Sequence, residues 1–274
     1  RGVDGASTEF SVREGETILD AGLREGLALP YECRNGGCGL CLCSVEHGNI
    51  DHRPYQRSAL SDAQKGQGKA LMCCAVPRGD VVIDVEGFTG AAAKAAEVHT
   101  ATVAHLERLA DDVMRVLLQL PEGKALDFVA GQYIDILLED GQRRAFSFAN
   151  RPQASSQIEL HIRLVEGGRF TTHVFDAMQV GDTLRFEGPR GSFTLRESTH
   201  SILFIAGATG FAPIKSIVED AFERGVQRPM RLYWGVRQRK DLYLLALCEQ
   251  WARDHSNFTV VPVVSEPTEG DGWT

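Results

Sequence analysis

Pro30-Tyr31-Glu32-Cys33-Arg34-Asn35-Gly36-Gly37-Cys38-Gly39-Leu40-Cys41 places three thiols in one short loop, with three glycines between them. Six of the seven cysteines lie between residues 33 and 74, and the spacing C-x4-C-x2-C is followed by a distant further thiol. Two irons bridged by sulfide need four soft thiolates, and one compact loop can supply three while a remote residue closes the site. Gly36, Gly37 and Gly39 let the backbone turn sharply and aim N–H groups at sulfur. Cys73 and Cys74 both stand where the fourth ligand is needed, and spacing alone does not choose between them. Zinc sites take paired C-x2-C units, of which only Cys38 and Cys41 form one. A disulfide framework is a poor fit to crowded cysteines in an otherwise cysteine-poor chain. Cys248, in an apolar helical context, reads as core.

Working outward, Glu9-Phe10-Ser11-Val12-Arg13-Glu14-Gly15 alternates like a strand, and Ile18, Leu19, Leu23 and Leu27 recur at helical spacing. Asp80-Val81-Val82-Ile83-Asp84-Val85 reads as a closing strand, so residues 1–89 are expected to form a small α+β domain. Residues 90–97, nearly all small, carry no apolar period and read as a linker. From 98 to 198, strand-like runs recur at Val98–Leu106, Val113–Leu120, Tyr133–Leu138, Arg144–Phe148, Ile158–Val165 and Thr183–Phe186. Turns such as Pro121-Glu122-Gly123 and Gly188-Pro189-Arg190-Gly191 punctuate them, which predicts an antiparallel barrel. From 199 to 274 the pattern becomes β-α-β-α-β: strands at Ile202–Ala206, Met230–Trp234 and Phe258–Val264, helices at Pro213–Arg224 and Leu242–Trp251. That predicts a parallel nucleotide-binding α/β domain, C-terminally incomplete because the sequence stops after three strands.

Two further stretches carry chemistry. Arg144-Ala145-Phe146-Ser147 can offer a cation for a pyrophosphate, an aromatic surface and a small donor, the three things a flavin site needs. Alone, the run reads more readily as an edge strand with an exposed Arg than as a flavin site. Ala206-Gly207-Ala208-Thr209-Gly210-Phe211-Ala212-Pro213 joins a strand to a helix, where glycines allow a dinucleotide to approach the helix N-terminus.

The cysteine loop resembles the cluster loop of plant-type ferredoxin domains, whose fold is a β-grasp. That resemblance selects Cys73, which follows the apolar Ala70-Leu71-Met72, as fourth ligand beside Cys33, Cys38 and Cys41, leaving Cys43 and Cys74 as spare thiols. Arg144, Phe146 and Ser147 resemble the R-x-[YF]-S motif of ferredoxin-NADP reductase-like barrels. His161-Ile162-Arg163 resembles the strand beside the flavin ribityl and phosphate. Gly167-Gly168-Arg169-Phe170-Thr171 resembles the phosphate-side loop, with Gly168, Phe170 and Thr171 as contacts. Gly207, Thr209, Gly210 and Pro213 match the G-x-T-G-x-x-P motif of the same reductases, and Trp234, Gly235 and Arg237 resemble their second pyridine-nucleotide segment.

The order of motifs is similar to the ferredoxin-fused reductase components of bacterial ring-hydroxylating dioxygenases and multicomponent monooxygenases, and to proteins labelled CDP-6-deoxy-3,4-glucoseen reductase-like. The resemblance implies a 2Fe-2S cluster, FAD rather than FMN, and NAD(P)H as donor; Arg237, Arg239 and Lys240 could meet a 2′-phosphate, but a solvated basic loop is the commoner reading of them, so NADH is expected with NADPH the alternative. It implies Ser147 and Thr209 as the residues at the reacting atoms, and a terminal oxygenase or similar acceptor protein as partner. A flavin and iron-sulfur redox sensor without turnover is the competing reading.

Composition narrows the field. The chain has 274 residues, 43% hydrophobic and 24% charged, in the range of folded globular proteins. A net charge of −8 argues against nucleic-acid backbone binding, and no apolar run reaches the roughly 18 residues of a membrane span. A cytoplasmic location is expected. Residues 1–90 carry nine basic and 13 acidic side chains against 20 and 24 in the remainder, so the cysteine-rich part is the more acidic per residue. An acceptor with a basic docking patch near Arg34, Asn35 and Leu40 is expected.

Overall fold

A computed structural model describes residues 7–86, 88, 97–139, 141–154, 156–268 and 273. The chain forms two compact units, residues 1–96 and 97–274. The expected linker lies outside the described residues apart from Glu97.

In the first unit, helix α1 (Ile18–Arg24) starts where the Thr17 hydroxyl accepts from Asp20 N–H, a cap that satisfies one of the free donors of the first turn. Strand β1 (Leu42–His52) runs between β2 (Lys69–Leu71) and β3 (Ala75–Asp84), antiparallel to both. A short helix α2 (Asp62–Gly66) carries a capping box of Ser61 and Gln64. Ile18, Leu19, Leu60, Leu71 and Met72 form the centre of the core with Cys41, Cys73 and Cys74. Residues 9–15 are not in a sheet, contrary to expectation: Phe10 packs on this core without ladder hydrogen bonds. The alternation thus reports one-sided burial rather than strand pairing. Conversely, β1 extends through Glu46-His47-Gly48-Asn49, a polar stretch that gives no strand signal, because one face of an antiparallel sheet can stay wet.

The second unit opens with β4 (Val98–Ala110), β5 (Val113–Gln119), β6 (Tyr133–Leu137), β7 (Arg143–Ser147), β8 (Gln157–Arg163) and β9 (Thr183–Arg190), with α3 (Arg169–Asp176) between the last two. All pairings are antiparallel in the order β7-β6-β9-β4-β5-β8, and the outer strands β7 and β8 approach each other, so the sheet curls into a barrel. Its interior holds Val116, Leu118, Ile134, Ile136, Phe148, Leu160, Ile162 and Phe186. The segment Gly188-Pro189-Arg190, expected as a turn, is instead the end of β9, with a cis Gly188–Pro189 peptide. A Cβ on Gly188 would stand 3.0 Å from Ile134 Cγ2 and 3.2 Å from Tyr133 O, where the β6 pairing shifts register.

Strands β10 (Ile202–Gly207), β11 (Met230–Val236) and β12 (Phe258–Val264) then form a parallel sheet in that order. Helices α4 (Phe211–Glu223) and α5 (Leu245–Asp254) pack against Phe204, Leu232, Trp234 and Phe258. Pro213 falls in the first turn of α4, where no N–H partner is needed. No helix among the described residues is long and apolar enough to cross a membrane.

Candidate functional site

The cysteine loop is held on both sides by its own unit. Arg34 adopts a left-handed φ of 54° and its guanidinium pairs with Asp20 of α1 at 2.7 Å. Gly36 has φ 74°, and a Cβ there would stand 2.7 Å from Tyr55 Cβ and 2.8 Å from Cys74 Sγ. Glycine is therefore required both for the turn and for the close approach. The segment after β1 closes the back of the loop: Gln56 N–H donates to Gly36 O and Arg53 N–H to Cys74 O.

The four expected ligands stand as two pairs. Cys41 and Cys73, both buried, have sulfurs 3.3 Å apart, and Cys33 and Cys38, nearer the surface, stand close enough to shift each other's thiols. Burial pushes the Cys33 thiol up, but the N–H groups of Asn35, Gly37 and Cys38 and the Cys38 side chain outweigh it and hold the thiol below its ordinary value. Gly37 N–H lies 3.3 Å from the sulfur. Cys41 is pushed up by its hydrogen bond to Cys73 and by burial. Cys73 reaches about 12: the Cys41 contact lowers it, while Cys74 and burial raise it.

No three His, Cys, Asp or Glu side chains among the described residues converge to hold one metal ion. A mononuclear zinc site needs four convergent ligands, whereas a two-iron cluster needs only two thiolates on each iron. Two thiol pairs, with N–H groups aimed at sulfur, fit the cluster. Cys43 lies on β1 opposite Ala70 and burial pushes its thiol up to about 12; Cys248 sits in the core beside α4 and β11, pushed up to about 12 by burial.

In the barrel, Arg144 is exposed at the start of β7, its guanidinium against Gln142 Oε1 and Arg143 O. Phe146, two residues on and so on the same face, is half-buried with its ring 5.5 Å from Phe170. Ser147 lies opposite Tyr133 at the strand end. Helix α3 begins at Gly168 with no side-chain cap, leaving its first N–H groups available to an anion. Thr171 does not reach outward: its hydroxyl accepts from Val165 N–H and donates within the Val165–Gly168 turn, which it closes. A Cβ on Gly168 would meet that hydroxyl at 2.6 Å. Ile162 points into the barrel core, so only its backbone is available to a ligand, and Arg163 is bound to Asp112 at 2.6 Å. An exposed cation, a half-buried aromatic and an uncapped helix N-terminus fit a flavin dinucleotide.

Gly207 and Gly235 sit side by side at the carboxyl ends of β10 and β11. The next residue, Ala208, takes a left-handed φ of 46°, and Thr209 and Gly210 complete a tight turn into α4. A Cβ on Gly207 or Gly210 would meet no atom within 4 Å, so the backbone there is open to a ligand. That is the place where parallel sheets bind nucleotides. Trp234 is a support, fully buried, stacked on Phe211 at 4.1 Å, with its indole N–H donating to Ala208 O. Arg237 is exposed, and Lys240 pairs with Asp111 across the unit at 2.8 Å.

The two halves of this unit are joined by groups that sequence reading passes over. Strand β8 lies against the 208–210 turn. From α4, Lys215 Nζ donates to Ala149 O at 3.0 Å and Ser216 Oγ to Asn150 O at 2.7 Å, gripping the chain just beyond Ser147. Lys215 also meets Glu159 and Glu219. His161, expected beside a ligand, turns its ring inward: Nε2 faces Glu159 Oε1 at 2.9 Å and Nδ1 faces Tyr243 Oη at 3.0 Å. Since the carboxylate can only accept, Nε2 carries the proton and the neutral Nδ1 accepts from Tyr243. Burial holds His161 below its ordinary value, the Glu159 contact offsetting it in part. The sequence signal for this network is slight: a lysine inside the apolar run Phe211-Ala212-Pro213-Ile214-Lys215-Ser216-Ile217.

Comparison with known proteins agrees with the geometry. Family models match in order: a 2Fe-2S iron-sulfur cluster binding domain over residues 2–78, an oxidoreductase FAD-binding domain over 100–195 and an oxidoreductase NAD-binding domain over 204–274. The chain is 35% identical to the CDP-6-deoxy-L-threo-D-glycero-4-hexulose-3-dehydrase reductase of Yersinia pestis, covering 94% of this chain and 77% of that protein. It is 37% identical to reductase component 1 of the terephthalate 1,2-dioxygenase of a Comamonas species, covering 94% and 76%. The crystal structure of the Amycolatopsis cytochrome P450 reductase GcoB superposes with a TM-score of 0.72 at 34% identity, covering 96% of this chain and 80% of that one. The chain therefore belongs to the ferredoxin-fused reductases, oxidoreductases in which electrons pass from NAD(P)H through FAD to a 2Fe-2S cluster and on to an oxygenase or similar acceptor.

Proposed function

We propose that Ser147 and Thr209 are the residues at the reacting atoms, with NADH as the preferred donor. The observation that carries this reading is the buried pair of bonds from Lys215 and Ser216 to Ala149 and Asn150, which fixes the helix after the Thr209 turn to the chain just beyond Ser147. When bound, the flavin accepts a hydride from the nicotinamide and hands its electrons singly to the cluster. Arg144 would hold the pyrophosphate with the N-terminal N–H groups of α3, Phe146 would cover an apolar part of the flavin, and Ser147 would donate a hydrogen bond to the flavin ring. Gly207 and Gly210 let the dinucleotide lie against the strand end, and Thr209 positions the nicotinamide. Trp234 and Ile162 act by support alone. Arg237 can meet a nucleotide phosphate, but Lys240 is already tied to Asp111, which leaves a weaker cradle for a 2′-phosphate and favours NADH.

In the first unit, Cys33 and Cys38 would give two thiolates to one iron of the cluster, and the buried Cys41 and Cys73 two to the other. Arg34 is drawn back to Asp20, so the exposed edge of the loop is Asn35, Cys38 and Leu40, and there an acceptor with a basic rim docks. The reaction belongs to the cytoplasm, where thiols stay reduced. Rapid mixing with NADH and NADPH tests the assignment. Wild-type flavin bleaches faster with NADH, and Thr209→Ala slows bleaching while FAD stays bound. Equal rates for the variant and wild type would remove Thr209 from the site.

A further inference from the structure

Five thiols, not four, gather in the cysteine site. Consecutive residues of an extended strand point to opposite sides, but Cys73 and Cys74 lie in a tight turn closed by Cys74 N–H donating to Leu71 O at 2.8 Å. Their side chains consequently leave on the same side, with sulfurs 3.6 Å apart. Cys74 is 2% exposed, lies against the Gly36 backbone, and its thiol meets only a weak acceptor, Pro54 O at 3.5 Å. Among the described residues, only the S–H contact to Pro54 and the contact to Cys73 engage this sulfur in a hydrogen bond, so no strong partner holds the buried thiol.

We propose that Cys74 is a reserve ligand for the buried iron, able to take the place of Cys73; this rests on the reading of Cys33, Cys38, Cys41 and Cys73 as the cluster ligands. The exchange is a simple substitution. The Cys74 thiol loses its proton as its sulfur bonds the iron, the Cys73 thiolate leaves and takes up a proton, and no electron is gained or lost. The two sulfurs are 3.6 Å apart, so the exchange moves the bond by about one sulfur–sulfur contact. The sulfur within contact of Cys74 is that of Cys73, so the reserve is assigned to the inner pair.

The test is anaerobic reconstitution of the 274-residue chain with ferrous iron and sulfide, reading bound iron, acid-labile sulfide and the visible and electron paramagnetic resonance spectra. Cys74→Ala is expected to match wild type, Cys73→Ala to keep at least about half the cluster with a shifted spectrum, and the double variant and Cys38→Ala to keep less than about a tenth. Cys73→Ala and the double variant differ only at Cys74, so any general effect of losing Cys73 on folding is common to both. Equal losses in those two would overturn the proposal. So would a Cys74→Ala protein that loses its cluster, since Cys74 would then be the regular ligand. A wild-type chain that takes up no cluster would instead overturn the ligand reading beneath it.

Discussion

Ser147 has a small side chain and a large predicted effect. A hydrogen bond aimed at a ring atom whose charge changes in the reaction is worth more than the same bond in water. Ser147→Ala is expected to slow flavin reduction by NADH about a hundredfold with FAD content unchanged, as stopped-flow absorbance would show. Unchanged reduction would mean the hydroxyl faces elsewhere. His161 gives a second residue-scale prediction. Burial holds it below its ordinary 6.5, and Glu159 lies below its ordinary 4.5 because His161 and Lys215 outweigh its burial. Below those ordinary values the unfolded chain binds more protons than the folded one, so stability is full above about pH 6.5 and is lost as pH falls through the folded values. The melting midpoint of the second unit should drop between about pH 7 and about pH 5, and His161→Gln should flatten that slope. A pH-independent wild-type midpoint would contradict the buried-imidazole account. The sequence shows His161 on a strand but not its inward turn, because Glu159 and Tyr243 meet it only after folding.

At the scale of elements, α4 does more than cover the parallel sheet. Its Lys215 stands between Glu159 of β8 and Glu219 one helical turn along, and burial raises Glu219 despite that partner. Removing the cation leaves two carboxylates facing each other in a buried place. Lys215→Met is therefore expected to destabilise the second unit by about 3 kcal/mol and to slow hydride transfer, with the first unit's cluster spectrum unchanged. Calorimetry beside visible spectroscopy would check both, and a midpoint equal to wild type would show that the network contributes nothing. The helix itself is legible in sequence, since apolar residues at helical spacing follow a glycine turn. Its lysine is not, because a lysine on an amphipathic helix ordinarily faces water. The same limit explains residues 9–15 and β1. Alternation predicted a strand where Phe10 only leans on the core, while a polar run hid a strand whose ladder comes from β3.

For the whole molecule, the three motifs stand along the chain in the reverse of the order in which electrons pass, cluster first and nucleotide last, and that order made the family legible in the sequence. The thiol spacing showed a cluster, but only folding shows two pairs and a fifth sulfur beside them. Charge gives the prediction at this scale. The acidic balance of residues 1–90, with Asn35, Cys38 and Leu40 exposed at the loop edge, implies electrostatic steering of a basic acceptor. Electron transfer to such a partner should slow as salt rises, roughly tenfold from low to physiological ionic strength. A rate indifferent to salt would point to an apolar contact through Leu40 instead.

The central claim is that one chain carries electrons from a nicotinamide to a cluster held by its own thiols. It is tested most directly by anaerobic titration of the purified chain with NADH, following the flavin and cluster bands and the paramagnetic signal of the reduced cluster. The account predicts that both bands bleach with NADH alone and that the cluster signal appears. A cluster that stays oxidised under excess NADH, yet bleaches with dithionite, would contradict it.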